Sequence, residues 1–372
     1  MTENTLQAGA PNQVMEGVWM AENATPSQIE AALRELLREH YEADQAFVPA
    51  RVLNLVVVAD REWRGEISNR LENVGRYHPS RTIFCAVEPG RTSLDAMAVM
   101  SAQGEGKGAH LEAADDGDIH LFHEEVMIDV GERHLPHLDA IVDPLVVTDL
   151  ATVVWSPHGH QEAVDSLRRL AQVVLIDSIY DPDPADAIGR AAVLTGTAYV
   201  VDLAWLRSTP WRERLAASFD PPQWGRELGS ISSVTMRHRP DSAIAGLLFF
   251  GWLASRLGWE PGVLIEQGGT LHGRCRGARE EVELRLEPDE AQSAPGLAGM
   301  TVETSSGMSL SLERGSGGLH ARRRTRDGHD SDWTVMGASR GEAGILGEGI
   351  RQALLRDPTY QPALVAAAQM LG

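Results

Sequence analysis

Residues 51–59, "RVLNLVVVA", form an apolar run with one polar position inside it, Asn54. A strand of this kind is covered on both faces, so the chain needs packing layers above and below a sheet. "DREWRGEISNRLENVG" (60–75) follows, with Trp63, Ile67, Leu71 and Val74 at helical spacing and Gly75 as a stop. "RTIFCAV" (81–87) then reads as strand again. Strand, helix and strand in this compass make a βαβ unit, the building block of a parallel or mixed sheet with flanking helices.

The same rhythm returns downstream. "ATVVW" (151–155) and "QVVLIDS" (172–178) read as strands, and "HQEAVDSLRRL" (160–170) and "PADAIGRAAVL" (184–194) as helices. Upstream, a helix is predicted from Thr25, with Pro26 in its first turn, Gln28 in the capping-box position and Ile29, Leu33, Leu36 and Leu37 as its apolar stripe. Residues 1–24 read as a flexible tail. The stretch 89–110 has no clear assignment, and 118–130 reads as a strand with 109–114 as its candidate partner. A helix is predicted from Thr209-Pro210 through Phe219, a strand over 230–239, and a helix over 241–257 that ends at Gly258. Beyond Gly258 the texture changes to short segments broken by Gly, Ser and Asp, the pattern of an antiparallel meander. Two helices, near 342–356 and 360–370, are separated by Pro358. The predicted fold class is α/β: a mostly parallel or mixed sheet with flanking helices over 25–260, then a smaller antiparallel β-meander domain with C-terminal helices over 261–372. The expected boundary lies in "LGWEPG" (257–262).

A length of 372 residues favours two domains over one. The balance of 33 basic against 53 acidic residues gives a formal charge of −20, which repels phosphate backbones and anionic lipid at long range. No nucleic-acid partner and no membrane partner are expected. The longest apolar run, 243–254, is too short to span a bilayer. The start of the chain lacks a basic segment and an apolar run, and two cysteines, Cys85 and Cys275, fit a reducing cytoplasm as buried thiols.

Few residue patterns in the chain carry chemistry. In "QGEGKGAH" (103–110) Lys107 is followed by Gly108 rather than Ser or Thr, so a phosphate loop is not formed. "GSGGLHA" (315–321) has His320 where a dinucleotide fingerprint needs its third glycine. His120/His123, His134/His137 and His158/His160 lack metal-ligand spacing on a common face. The acidic runs read as solvated surface. No catalytic residue, metal ligand or cofactor site is therefore assigned, and the chain is expected not to be an enzyme. "RYHPSR" (76–81) does stand out: Arg76, His78, Ser80 and Arg81 could grip an anion. The simpler account is a structural turn in which Arg81 pairs with a carboxylate.

Five of the nine tryptophans fall between 205 and 259. Trp211, Leu215 and Phe219 share a helix face and read as core, as does Trp252. Trp205 and Trp259 sit at segment ends, and Arg207 and Arg212 lie off the apolar stripe. Trp and Arg dominate binding hot spots, so Trp205, Arg207, Arg212 and Trp259 are the candidate docking residues for another protein.

"RVLNLVVV", "RYHPSRTI", "VVLIDS", "DLAWLRSTPWRERLAASFD" and "LLFFGWLASRLGW" together resemble the glucose-6-phosphate dehydrogenase assembly protein OpcA family, strongly over about 50–260 and more weakly to the end. The resemblance implies a non-catalytic partner of glucose-6-phosphate dehydrogenase. Such a partner would promote assembly and activity of the enzyme that opens the oxidative pentose phosphate pathway and produces NADPH. It also implies thioredoxin control through cysteines in cyanobacterial members. The rival reading is a small-anion or sugar-phosphate-binding α/β sensor or enzyme that uses the "RYHPSR" loop.

Overall fold

A computed structural model describes residues 3–6, 16–43, 51–75, 79–102, 122–315, 317–336 and 341–372. The chain divides into two compact units, 1–176 and 177–372.

In the first unit, strands β1 (Glu3–Leu6) and β2 (Glu16–Ala21) precede helix α1 (Pro26–Ala43). The capping box predicted at Thr25 is formed: its amide donates to Gln28 Oε1 at 2.9 Å, and the Gln28 amide donates to Thr25 Oγ1 at 3.3 Å. Then come β3 (Leu53–Asp60), α2 (Arg64–Gly75), β4 (Ser80–Val87), β5 (Asp95–Ala102), β6 (Phe122–Val130), α3 (Leu138–Val142), β7 (Ala151–Trp155), α4 (Gln161–Leu167) and β8 (Val173–Ile176). The strands lie in the order β1-β2-β5-β6-β4-β3-β7-β8. From β6 through β8 all neighbours run parallel, with Val56 opposite both Ile83 and Val154. The β5–β6, β2–β5 and β1–β2 pairs are antiparallel, so the sheet is mixed. Leu55 to Ala59 and Ile83 to Val87 are buried throughout, the two-sided cover that their composition demands. Asn54, the polar residue in that run, is fully buried and ties down the loop before β7 through Val147 and Leu150.

Two expectations are corrected here. Residues 16–21, predicted as tail, pair with β5 from Glu16↔Ser101 to Ala21↔Ala96, and 3–6 pair with β2. The unassigned stretch contains β5 itself. Its alternation is carried by Ala and Met rather than by β-branched residues, so strand propensity did not mark it. The candidate partner at 109–114 lies outside the described residues.

The second unit contains α5 (Pro184–Thr195), β9 (Tyr199–Asp202), α6 (Leu203–Arg207), α7 (Thr209–Phe219), α8 (Pro222–Gly225), β10 (Ile231–His238) and α9 (Ala243–Leu257). After these come β11 (Glu260–Pro261), β12 (Ile265–Gln267), β13 (Thr270–Arg276), β14 (Glu281–Pro288), β15 (Leu297–Thr304), β16 (Ser309–Gly315), β17 (Gly318–Arg324), β18 (Asp330–Met336), α10 (Gly341–Leu355) and α11 (Tyr360–Leu371). Its sheet has the order β11-β13-β14-β10-β15-β16-β17-β18, with β12 on β13. All its pairings are antiparallel except β10 with β14. One face buries Val234, Met236, Leu284, Leu286, Met300, Val302, Leu310 and Leu312. Helix α9 packs on it, and α11 packs on α9. Gly258 closes α9 in the left-handed region at φ 68°.

The boundary near 257–262 is not where the compact units divide. β10 is the strand between β14 and β15, and α9 is the crossover that returns the chain to pair β14 parallel to it. The "antiparallel" domain thus begins well before the texture change that suggested it.

Candidate functional site

The tryptophan–arginine stretch, expected to face outward, is internal. Asp202 caps α6, accepting from the amides of Ala204 at 2.9 Å and Ser178 at 3.2 Å. Its other oxygen accepts from Ser178 Oγ at 2.7 Å and Tyr360 Oη at 3.2 Å. Helix α6 is one turn and a half long and buried on every side. Trp205 is 2% exposed and donates from Nε1 to Asp357 Oδ2 at 2.8 Å. Arg207 makes a two-pronged pair with Asp177, both bonds at 2.7 Å, with side-chain exposures of 6% and 2%. Arg212 lies 3.4 Å over the Trp205 ring and donates to the Trp205 carbonyl at 2.8 Å and to Ser208 Oγ. Trp211 is buried as predicted, and Trp259 is also buried, at 8% exposure. Helical periodicity on α7 sets Arg212 off the apolar stripe, but Trp205 of the preceding helix covers its guanidinium with its ring and accepts from it with its carbonyl.

Burial pushes the Asp202 carboxyl up to about 6, against hydrogen bonds that favour its charged form. A carboxyl whose folded pKa lies above its unfolded value of about 3.9 takes up a proton on folding. Its contribution is fully present below pH ~4 and is lost as pH rises through ~6, up to about 3 kcal/mol. Asp202→Asn is therefore expected to lose the part of stability that grows on acidification from pH ~6 to ~4. Chemical denaturation of both proteins across that range checks it. Identical pH slopes would contradict it.

In the first unit Arg81 donates to Glu124 Oε2 at 2.7 Å and to the Leu145 carbonyl at 2.9 Å. Glu124 is 1% exposed and also accepts from Arg51. Ser80 is buried against Thr82 Oγ1 at 3.2 Å. The arginine of the candidate anion grip is thus engaged in an internal ion pair, at the amino end of β4; Arg76 and His78 lie outside the described residues. The opposite end of the sheet holds a different group. β3 leads to β4 on one side and neighbours β7 on the other, a topological switch point. At the carboxyl ends of these two strands His160 Nε2 lies 3.0 Å from Asp60, and the His158 ring is 5.1 Å from Trp63. Burial lowers the His158 pKa. The turn after β3, "DREW", carries bulky and charged side chains where a dinucleotide fingerprint has glycines.

Cys85 and Cys275 are both free and buried, one in each unit. Desolvation alone raises the Cys85 thiol to about 12, so it carries almost no thiolate. Among the described residues no three His, Cys, Asp or Glu side chains gather as metal ligands, and no helix is long and apolar enough to cross a membrane. No Gly-x-Ser-x-Gly elbow is expected, yet "GASRG" (337–341) matches that pattern. It follows β18, an edge strand paired antiparallel with β17, not the parallel strand that an elbow requires. Residues 337–340 lie outside the described residues.

The second unit's other sheet face is a continuous surface across six strands. Thr235 stands opposite Arg285 and Thr301, Thr301 opposite Ser311, Ser311 opposite Arg322, and Arg322 opposite Asp332. This row is half-buried at its centre and exposed at Arg285, Arg322 and Asp332. Small hydroxyl side chains line the centre of this row, Arg237 and Glu313 form an ion pair on the same face of the central strands, and Arg322 pairs with Asp332 at 2.9 Å toward the edge. From strand spacing and rise, β14 to β18 present about 30 Å by about 20 Å, comparable to the ~800 Å² per partner of a standard interface.

Two family profiles match the chain, and both describe a glucose-6-phosphate dehydrogenase subunit: the profile of its N-terminal domain matches residues 72–192, and that of its C-terminal domain matches residues 198–364. The OpcA protein of Synechococcus elongatus, named for the OxPP cycle, is 27% identical over 248 residues, 64% of this chain and 53% of that protein. The OpcA protein of Synechocystis sp. is 28% identical over 131 residues, 34% of this chain and 28% of that protein. The chain spans about half the length of the first of these relatives and less of the second. Among solved structures, UDP-N-acetylglucosamine 3-dehydrogenase GnnA from Acidithiobacillus ferrooxidans aligns at TM-score 0.43 and 11% identity, covering 85% of this chain and 96% of that one. Scyllo-inositol dehydrogenase from Lactobacillus casei aligns at 0.42 and 10%, covering 87% and 96%. Likenesses that distant say nothing about chemistry. With both units matched and the fold predicted for it in place, the chain belongs to the OpcA family of glucose-6-phosphate dehydrogenase assembly proteins.

Proposed function

We propose that this chain is a non-catalytic partner of glucose-6-phosphate dehydrogenase that docks through the open sheet face of its second unit and raises the enzyme's activity in the cytoplasm. The observation that carries the reading is that face, polar and of interface size, on a chain whose family is named for the dehydrogenase. Trp205, Arg207, Arg212 and Trp259 are buried and support the fold instead. The rival reading, an anion-binding enzyme at "RYHPSR", is weakened because Arg81 is held by Glu124. An activator acts only by binding one state of its partner more tightly than another. A coupling of about 1–3 kcal/mol would change substrate affinity several-fold to about a hundredfold.

Thr301→Lys places a charge at the centre of the face, between the uncharged Thr235 and Ser311. Dehydrogenase affinity is expected to fall at least about tenfold, with the melting temperature of the isolated chain unchanged. Titration calorimetry reads both proteins. Unaltered affinity would remove this face from the interface.

A further inference from the structure

The second unit encloses a cavity of about 450 Å³ between α6–α7, the β16–β17 turn and α10. That size lies within the range of small-molecule sites, about 300–1,000 Å³. Among the described residues its wall carries three guanidinium groups, and their states differ. Arg207 is matched by Asp177. Arg351 is matched by Glu348, with Nε at 2.9 Å from Oε2. Arg314 donates Nε to the Leu297 carbonyl at 3.1 Å and lies 5.9 Å from the centre of the Trp211 ring, and among the described residues it forms no ion pair. It projects on the face of β16 that holds Leu310 and Leu312, toward the interior rather than toward the open platform. Burial lowers its pKa, with no carboxylate acting against that effect. Among the described residues the remaining carboxylate of the wall is Glu213, exposed at the rim.

A partly desolvated guanidinium without a counter-ion is costly to hold, and the cavity beside it is large enough for the missing charge. In the turn next to it Gly315, Gly317 and Gly318 add no side chain to the wall, and Gly317 sits at φ 85°, which glycine adopts without strain. Trp211 supplies an apolar side. Thr209, whose Oγ1 accepts from Arg212 at 3.0 Å, retains its own O–H to donate.

We propose that this cavity binds a small polar molecule through a phosphate or carboxylate group gripped by the fork of Arg314, with Trp211 and Thr209 against its body. The inference does not rest on the dehydrogenase reading, and its test uses the chain alone. Inorganic phosphate, a hexose 6-phosphate and citrate are titrated into the full chain, with binding read by calorimetry and by two-dimensional NMR of the arginine side chains. At least one probe is expected to saturate with a dissociation constant of about 1 mM or tighter and to shift the Arg314 signals. The preferred probe distinguishes a phosphate from a carboxylate source. Arg314→Gln is expected to abolish that binding while leaving the unliganded melting temperature equal or higher, because it removes a half-buried charge that forms no ion pair among the described residues. If Arg314→Gln fails to fold, Arg314→Lys keeps a charge but loses the fork, and at least about tenfold weaker binding is expected. No saturation by any probe, or binding that survives either substitution unchanged, would overturn the proposal.

Discussion

Asp177→Ala is expected to destabilise the second unit by about 3–5 kcal/mol, the usual cost of breaking a buried ion pair by removing one member. Arg207 would remain, 6% exposed, with both terminal nitrogens aimed at a vanished carboxylate. The double variant Asp177→Leu/Arg207→Met is expected to recover most of the loss, since an apolar pair of similar volume removes both desolvation penalties. Denaturant unfolding followed by tryptophan fluorescence reads the difference, with Trp205 and Trp211 in the same region as reporters. A loss under about 1 kcal/mol would mean that Arg207 finds water or another carboxylate, and that the network is less closed than its geometry indicates.

The second large effect lies at the contact of α9 with α11. A methyl group on Gly251 would meet the Ala363 carbonyl oxygen at 2.0 Å and the Ala367 amide nitrogen at 3.0 Å, both backbone atoms that cannot turn aside. On Gly246 of the same helix it would meet the Leu286 side chain, first at Cδ1, 2.2 Å away. That side chain can change rotamer. Helix propensity favours alanine by about 1 kcal/mol at both positions. Gly246→Ala is therefore expected to change stability little. Gly251→Ala is expected to lose about 2 kcal/mol or more net and to expose α11 to proteolysis. Equal melting temperatures for the two variants would contradict the close approach.

How far the sequence could be read follows the range of the interactions involved. The capping box at Thr25, the Thr209–Phe219 helix and the Gly258 stop are local, and each stands where the residue pattern predicts it. The pairing of β10 with strands on both sides depends on partners about fifty and seventy residues away, and no periodicity carries that information. The docking candidates failed for a related reason. Trp and Arg are the residues of binding hot spots, but they are also the residues that hold a buried polar network together, and only tertiary partners such as Asp177 and Asp357 decide between the two. The open platform had no signal of its own. Thr235, Thr301 and Ser311 are ordinary in sequence and become a surface only when three strands bring them side by side. Arg314 was likewise invisible, because an unmatched charge is a property of its surroundings.

The most direct test titrates the purified chain into glucose-6-phosphate dehydrogenase and follows NADPH formation per mole of folded enzyme, beside a control with the chain alone. The expected result is a saturable rise in rate that tracks complex formation and no turnover by the chain alone. An unchanged rate at saturating chain with no complex formed, or oxidation of glucose 6-phosphate by the chain by itself, would contradict the account.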